Sequence, residues 1–82
     1  MALSAEQGNS IAQMQLGAMY DEGKGVAQDY DKAHMWYNIA AIDEIGSIKN
    51  RDIVAKKMTP AQIAEAQEAA TKCIKQNFKK CD

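Results

Sequence analysis

Apolar side chains recur along this chain with the spacing of an α-helix. In the first half, Ala12, Leu16 and Tyr20 lie four residues apart, which places them on one face of a helix. The apolar residues of the next stretch keep helical spacing as well: Ala33, Trp36, Tyr37, Ala40 and Ala41. No stretch is predicted to form a strand, so the pattern predicts an all-α fold.

Residues suited to helix ends divide the first half of the chain into two predicted helices. Ser10, with Gln13 three residues later, fits a capping box, and a first helix is expected over about Ile11–Glu22. Asp29 is a favourable N-cap for a second helix, which is expected to end at Gly46. These two helices would form one hairpin.

Two further helices are predicted in the second half. Ser47 can cap a third, shorter helix, whose apolar positions are Ile48, Val54, Ala55 and Met58. The run Thr59-Pro60-Ala61-Gln62 combines a capping Thr, Pro at the first helical position and Gln at the third, so a fourth helix is expected from Pro60 to about Asn77. Its predicted buried face consists of Ile63, Ala66, Ala70, Cys73 and Ile74. About four helices are therefore expected in all.

The length of 82 residues indicates a single domain over residues 1–82. A membrane span would need about 18 consecutive apolar residues, and the longest candidate run, which begins at Ile39, stops at Asp43. The first residues have neither the basic start nor the apolar segment of a signal peptide, so none is expected in the chain as given. Localisation stays open between the cytoplasm, the periplasm and secretion.

Charge is balanced over the whole chain and divided between its halves. The net charge of −1 does not suggest a partner such as nucleic acid or an anionic membrane. Residues 1–45 hold two basic and seven acidic side chains, a net charge of −5, whereas residues 46–82 hold eight basic and four acidic ones, a net charge of +4. Such a bipolar molecule favours head-to-tail or partner contacts.

Catalytic chemistry is not indicated by any motif. His34, the single histidine, lacks a positioned nucleophile and an orienting group, and we interpret it as a surface residue of a helix. Two cysteines and one ungrouped histidine fall short of four metal ligands. Gly23-Lys24-Gly25 lacks the strand and the remaining residues of a phosphate-binding loop. We therefore expect no enzyme, no cofactor and no metal.

One long motif resembles a known family. The residue types along the motif match those of the Sel1-like repeat, in the same order, over about residues 5–41. The motif includes a Gly-x-Gly-Val loop. The resemblance implies a right-handed α-α superhelix of helical hairpins, related to tetratricopeptide repeats, in proteins that are generally non-catalytic scaffolds and adaptors. The matching residues are Ala12-Gln13-x-x-Leu16-Gly17-x-x-Tyr20, Gly23-x-Gly25-Val26 and Asp29-Tyr30-x-Lys32-Ala33-x-x-Trp36-x-x-x-Ala40-Ala41.

Outside this repeat the resemblance is looser. The stretch Ala5–Ile11 resembles Ala41–Ile48, which implies that Ala2–Gln7 is the end of a preceding repeat and that the chain is a piece of a longer protein. After Gly46 the motif fails, and the stretch Arg51–Gln67 resembles instead the C-terminal segments that close many bacterial Sel1-like proteins. A divergent C-terminal hairpin is therefore expected over about residues 47–78. Atypical terminal repeats are expected in such arrays.

The two cysteines leave two alternatives open. Cys73 and Cys81 are eight residues apart, about 12 Å along a continuous helix, so a disulfide requires the helix to end between them. Their spacing resembles that of a cysteine-rich, secreted branch of the Sel1-like proteins, in which it implies a disulfide. The other alternative is a buried Cys73 with a free Cys81.

A candidate partner-binding surface follows from the repeat architecture. In a longer array, one flank of the first helix would meet a preceding repeat, and here only Ala2–Gln7 would cover it. Among the aromatic residues, Trp36 and Tyr37 are expected in the core and only Tyr30 at the surface. The candidate binding residues are Ile11, Gln15, Met19, Glu22 and Tyr30.

The functional hypothesis is a protein-interaction module or adaptor that binds an unidentified protein. The alternative is a small self-associating structural or regulatory subunit, and weak self-association through the N-terminal hairpin is predicted under it. An enzyme fragment is the third and least favoured hypothesis.

Overall fold

Five helices build the molecule, which we describe from a computed structural model covering residues 2–81, with side chains from Ser4 onward. They are α1 (Ala2–Glu6), α2 (Ser10–Glu22), α3 (Tyr30–Ala40), α4 (Gly46–Ala55) and α5 (Pro60–Lys75). The predicted all-α class is confirmed, and residues 2–81 contain no strand. The count is five rather than four because the segment expected as the end of a preceding repeat forms a helix of its own.

The start of α2 differs from the predicted capping box. The N-cap is Asn9, whose Oδ1 accepts a hydrogen bond of 3.0 Å from the backbone N–H of Ala12. Gln13 is buried, and its Nε2 donates to the carbonyl oxygen of Ala5 at 3.1 Å. The prediction for Ser10 was wrong because Gln13 is used to join α1 to α2, and an Asn one residue earlier caps the helix.

Between α2 and α3, two glycines of the Gly-x-Gly-Val loop form a turn. Gly23 ends α2 in the left-handed conformation, with φ 70°, and its N–H donates to the carbonyl oxygen of Met19 at 2.7 Å. Gly25 has φ 78°. Val26 is half-buried and packs against the core. Asp29 is the N-cap of α3, as predicted, because its Oδ1 accepts from the N–H of Lys32 at 3.1 Å.

Burial on every side distinguishes α3 from the other helices. All five residues of Ala33–Tyr37 are buried, and so are Ile39 and Ala40. A helix buried all round lies in the interior of a domain, and α2, α4 and α5 each pack on α3. Trp36 and Tyr37 are therefore core residues, as predicted. The predicted C-terminal hairpin takes another form, because α4 and α5 pack mainly on α3 and not on each other.

The region between α3 and α4 also departs from the prediction. The second helix ends at Ala40, before the predicted stop at Gly46, and Gly46 instead begins α4. Ser47 does not cap α4: it is fully buried within the helix, and its Oγ has no hydrogen-bond partner. One N–H at the start of α4 is bonded by a side chain, since Oε1 of Glu44 accepts from the N–H of Gly46 at 3.3 Å.

Helix α5 begins with the predicted capping box. The N–H of Gln62 donates to Oγ1 of Thr59 at 3.2 Å, and the N–H of Thr59 donates to Oε1 of Gln62 at 2.8 Å. The helix ends at Lys75, about two residues earlier than predicted. Ile74, predicted to be buried, is 41% exposed because it lies on the flank of α5 that no other described element covers.

The chain turns back after α5 and forms a disulfide between Cys73 and Cys81, whose Cα atoms are 5.2 Å apart. The turn contains three residues other than glycine with positive φ: Asn77, Phe78 and Lys80. Of the two alternatives for the cysteines, the structure has the disulfide.

Candidate protein-interaction surface

A shallow depression lies at the junction of α1 and α2. It is lined by Ser4, Asn9, Ile11, Ala12 and Gln15, and we call it the α1–α2 surface. Ile11 is 54% exposed, and Gln15, one turn further along α2, is exposed beside it. The lining combines one large apolar side chain with amides and a hydroxyl. Such a surface can bury an apolar group of a partner and hydrogen-bond around it.

The structure separates the other predicted binding residues from this depression. Met19 is half-buried against the core, so it does not continue the exposed flank. Glu22 is exposed at the end of α2, where its carboxylate pairs with Nζ of Lys24 at 2.9 Å. Only Ile11 and Gln15 of the predicted set therefore lie together.

Tyr30 belongs to a different cluster. It is half-buried rather than exposed, because its ring packs against the core. Its hydroxyl accepts from Nε2 of Gln28 at 3.4 Å, and Nζ of Lys57 lies 5.5 Å from the ring centroid. Lys57 also approaches Asp21 at 3.9 Å, so the cluster connects the ends of α2, α3 and α4. We interpret it as structural.

Burial of Tyr37 on α3 also raises the pKa of its hydroxyl. Desolvation raises the pKa of Tyr37 to about 12, and the neighbouring carboxylates of Asp21 and Glu22 act in the same direction. Tyr37 therefore stays neutral and packs as a core residue.

A second exposed apolar group, not predicted from the sequence, follows α3. Ile42, Ile45 and Ile48 are 64%, 80% and 39% exposed. The sequence does hold a signal for them, since three isoleucines recur at every third position across the turn before and into α4. Of the three, only Ile48 was assigned to an element, as an apolar position of the predicted third helix.

His34 was predicted at the surface, and this prediction was wrong. It is 2% exposed, and its Nδ1 has no hydrogen-bond partner. Burial lowers the pKa of His34, and the positive charge of Arg51 on α4 lowers it further, against a smaller opposing effect of Asp52. The spacing within α3 could not reveal this burial, because it depends on α4 packing over α3.

We expect His34 to make the fold sensitive to acid. Because its pKa is lower in the folded state, the unfolded state binds more protons as the pH falls through the ordinary histidine pKa of about 6.5. The free energy of unfolding should therefore fall between about pH 7 and pH 5. Urea unfolding across this range should show a steeper fall for the parent chain than for His34→Gln.

Comparison of the parent with His34→Gln also removes the contribution of Asp31 titration to the pH dependence. Desolvation raises the pKa of the Asp31 carboxyl, so its protonation stabilises the fold as the pH falls, which is the opposite sign. That contribution is shared by both chains and cancels in the difference. Equal pH dependence of the two chains would contradict a buried neutral His34.

Within residues 2–81, no group of three or more His, Cys, Asp and Glu side chains is placed to hold a metal ion. Over the same residues, no helix has the length and apolar character that crossing a membrane requires.

The hairpin of α2 and α3 defines the class of protein. Gly17 of α2 lies against Tyr37 and Ala33 of α3, and the two helices are joined by a turn with two left-handed glycines. Such a close helical hairpin is the unit of an α-helical repeat. Residues 10–42 match the family model of the Sel1 repeat, so this part of the chain carries a Sel1 repeat. The helical-hairpin architecture implied by the resemblance is thereby confirmed.

Sel1 repeats generally mediate protein–protein interactions. Comparison of the chain with curated proteins and with solved structures found no match.

Proposed function

We propose that this chain is a non-catalytic protein-interaction module that binds a helix of a partner protein on the α1–α2 surface. The observation that carries the proposal is the 54% exposure of Ile11 above a depression between two helices. An exposed apolar side chain in a concave setting is a favourable anchor for a partner, because its burial removes apolar area from water.

The chemistry of the depression indicates the kind of helix that it fits. Its lining has one large apolar side chain and no charged one, so the partner helix should present an apolar residue flanked by hydroxyl or amide side chains. The surrounding half of the chain carries a net charge of −5, which favours basic residues beyond the contact. Salt should weaken such binding.

A second copy of this chain is the alternative partner. The observation that favours it is the division of charge, −5 over residues 1–45 and +4 over residues 46–82, which would place the acidic half of one copy against the basic half of another. Ile74, exposed on α5 near Lys72 and Lys75, could supply the apolar contact.

Ile11→Glu tests the proposal, with Ile53→Glu as the matched control. Ile53 on α4 is 44% exposed, so both substitutions place a charge at a similarly accessible isoleucine. Loss of an interface anchor costs about 1.4 kcal/mol or more, which is about tenfold in affinity. We expect Ile11→Glu to weaken partner binding about tenfold or more and Ile53→Glu to leave it unchanged.

The measurement has two stages. Proteins retained by the immobilised parent and lost by Ile11→Glu are identified, and the bound segment is then titrated into the isotope-labelled chain. Saturable chemical-shift changes at Ser4, Ile11 and Gln15 would support the proposal. Equal retention by both variants, or changes confined to α5, would overturn it. Light scattering of the chain alone that shows a salt-sensitive dimer would establish the second copy as the partner.

A further inference from the structure

The segment after α5 contacts the turn between α1 and α2, near the N-terminal end of the described chain. We call residues 76–81 the C-terminal tail. Phe78 is half-buried against the core, and its ring Cε2 lies 3.3 Å from the position that a β-carbon on Gly8 would occupy. Gly8 belongs to the turn between α1 and α2. The tail therefore connects the end of α5 to the beginning of the repeat.

The last described residue of the tail lines a groove between α3 and α5. Cys81 is half-buried there, and the other residues that line the groove are Asp31, Lys32, Met35, Glu65 and Ala69. The disulfide joins Cys81 to Cys73, which is 1% exposed on the inner face of α5. The tail thus contributes one side of the groove.

No hydrogen bond of the described residues 76–81 reaches beyond Lys72. Those of the described tail residues run within residues 72–81, for example from the N–H of Phe78 to the carbonyl oxygen of Cys73 at 2.9 Å. The positive φ angles of Asn77, Phe78 and Lys80 are unfavourable for residues with side chains. The docked position therefore depends on the Phe78 contact and on the disulfide.

We propose that the Cys73–Cys81 disulfide is a reversible clamp, and that its reduction releases the C-terminal tail from Gly8 and from the α3–α5 groove while the helices stay folded. The reductant is a dithiol. Its thiolate attacks Sγ of Cys81, the more accessible of the two sulfurs, and Cys73 leaves as a thiolate that takes up a proton. The second thiol of the reductant then displaces Cys81 and forms the reductant's own disulfide, so two electrons and two protons pass to the protein.

The experiment compares the oxidised chain, the chain reduced with dithiothreitol, and the variant Cys81→Ser. Lys79→Ser is the matched control, because it alters the tail and keeps both cysteines. We expect a nuclear Overhauser contact between the Phe78 ring and the α-protons of Gly8 in the oxidised parent and in Lys79→Ser. It should be lost on reduction and in Cys81→Ser, and it should return on reoxidation of the parent.

Two further measurements separate release of the tail from other outcomes. Trypsin cleavage after Lys80, read after reduction of the products, should be about tenfold faster in Cys81→Ser than in the oxidised parent. The contact between the Tyr37 ring and Gly17 should persist in the reduced chain, since it reports on the α2–α3 hairpin. Persistence of the Phe78 contact in Cys81→Ser would overturn the proposal, and so would loss of the Tyr37 contact on reduction, because the disulfide would then hold the whole fold.

Discussion

Substitution of Trp36 by Ala is expected to unfold the chain in mild denaturant. Trp36 is 1% exposed on α3, the helix on which α2, α4 and α5 all pack. Truncation of a buried aromatic side chain to Ala typically costs about 3–5 kcal/mol, because it removes apolar burial and leaves a cavity. That is a large share of the about 5–15 kcal/mol that stabilises an ordinary domain, and small domains lie towards the lower end.

Far-UV circular dichroism in urea measures this effect without relying on tryptophan fluorescence. Ile45→Ala is the control, since Ile45 is 80% exposed and its truncation should leave the urea midpoint almost unchanged. A midpoint for Trp36→Ala equal to that of the parent would mean that Trp36 is not a core residue.

The second large effect is expected at the contact between α2 and α3. A β-carbon on Gly17 would lie 2.8 Å from Cδ1 of Tyr37 and 3.2 Å from the carbonyl oxygen of Ala33. Because the ring is buried and the oxygen is backbone, neither can move away freely. Gly17→Ala should therefore destabilise by about 1–3 kcal/mol, as overpacking does.

The sign of the change in the free energy of unfolding distinguishes overpacking from helix propensity. Ala is the better helix former by about 0.5–1 kcal/mol, so propensity alone would make Gly17→Ala more stable than the parent. Gly46→Ala is the matched control within a helix. A β-carbon there would meet only Oε1 of Glu44, at 3.5 Å, so this variant should be neutral or more stable than the parent. Thermal unfolding measures the melting temperature of both variants relative to the parent. A rise in melting temperature for Gly17→Ala like that for Gly46→Ala would show that the helices do not approach as closely as described.

The repeat itself could be predicted from sequence because its signals are local. The spacing of Leu16 and Tyr20, the glycine turn and the Asp29 cap are each fixed within a few residues of chain, and the structure has all of them. The capping box at Thr59 belongs to the same class of signal. Each depends on backbone conformation and not on distant parts of the chain.

Features that depend on tertiary packing could not be predicted in this way. The burial of His34 and Ser47 follows from α4 lying over α3. The use of Gln13 as a bridge to Ala5 depends on α1 packing on α2. The disulfide stayed one of two alternatives because it depends on where α5 ends, and helix ends are the least certain part of a sequence-based prediction.

The candidate site was predicted only in part, because some of its residues share one helix and others depend on tertiary packing. Ile11 and Gln15 share one flank of a single helix, which a helical pattern can show, and the structure places them together at the α1–α2 surface. Tyr30 was grouped with them only by its expected exposure. Its contacts with Gln28 and Lys57 come from different elements, and they place it elsewhere.

The most direct test of the interaction proposal is photo-crosslinking from one position on the proposed surface and one away from it. A benzophenone side chain replaces Gln15 on α2 in one chain and Gln67 on α5 in another, since both glutamines are exposed. The proposal predicts that the first chain crosslinks to a distinct protein, that Ile11→Glu abolishes the product, and that the second chain does not form it. The same product from Gln67, or a product from Gln15 that survives Ile11→Glu, would contradict the assignment of binding to the α1–α2 surface.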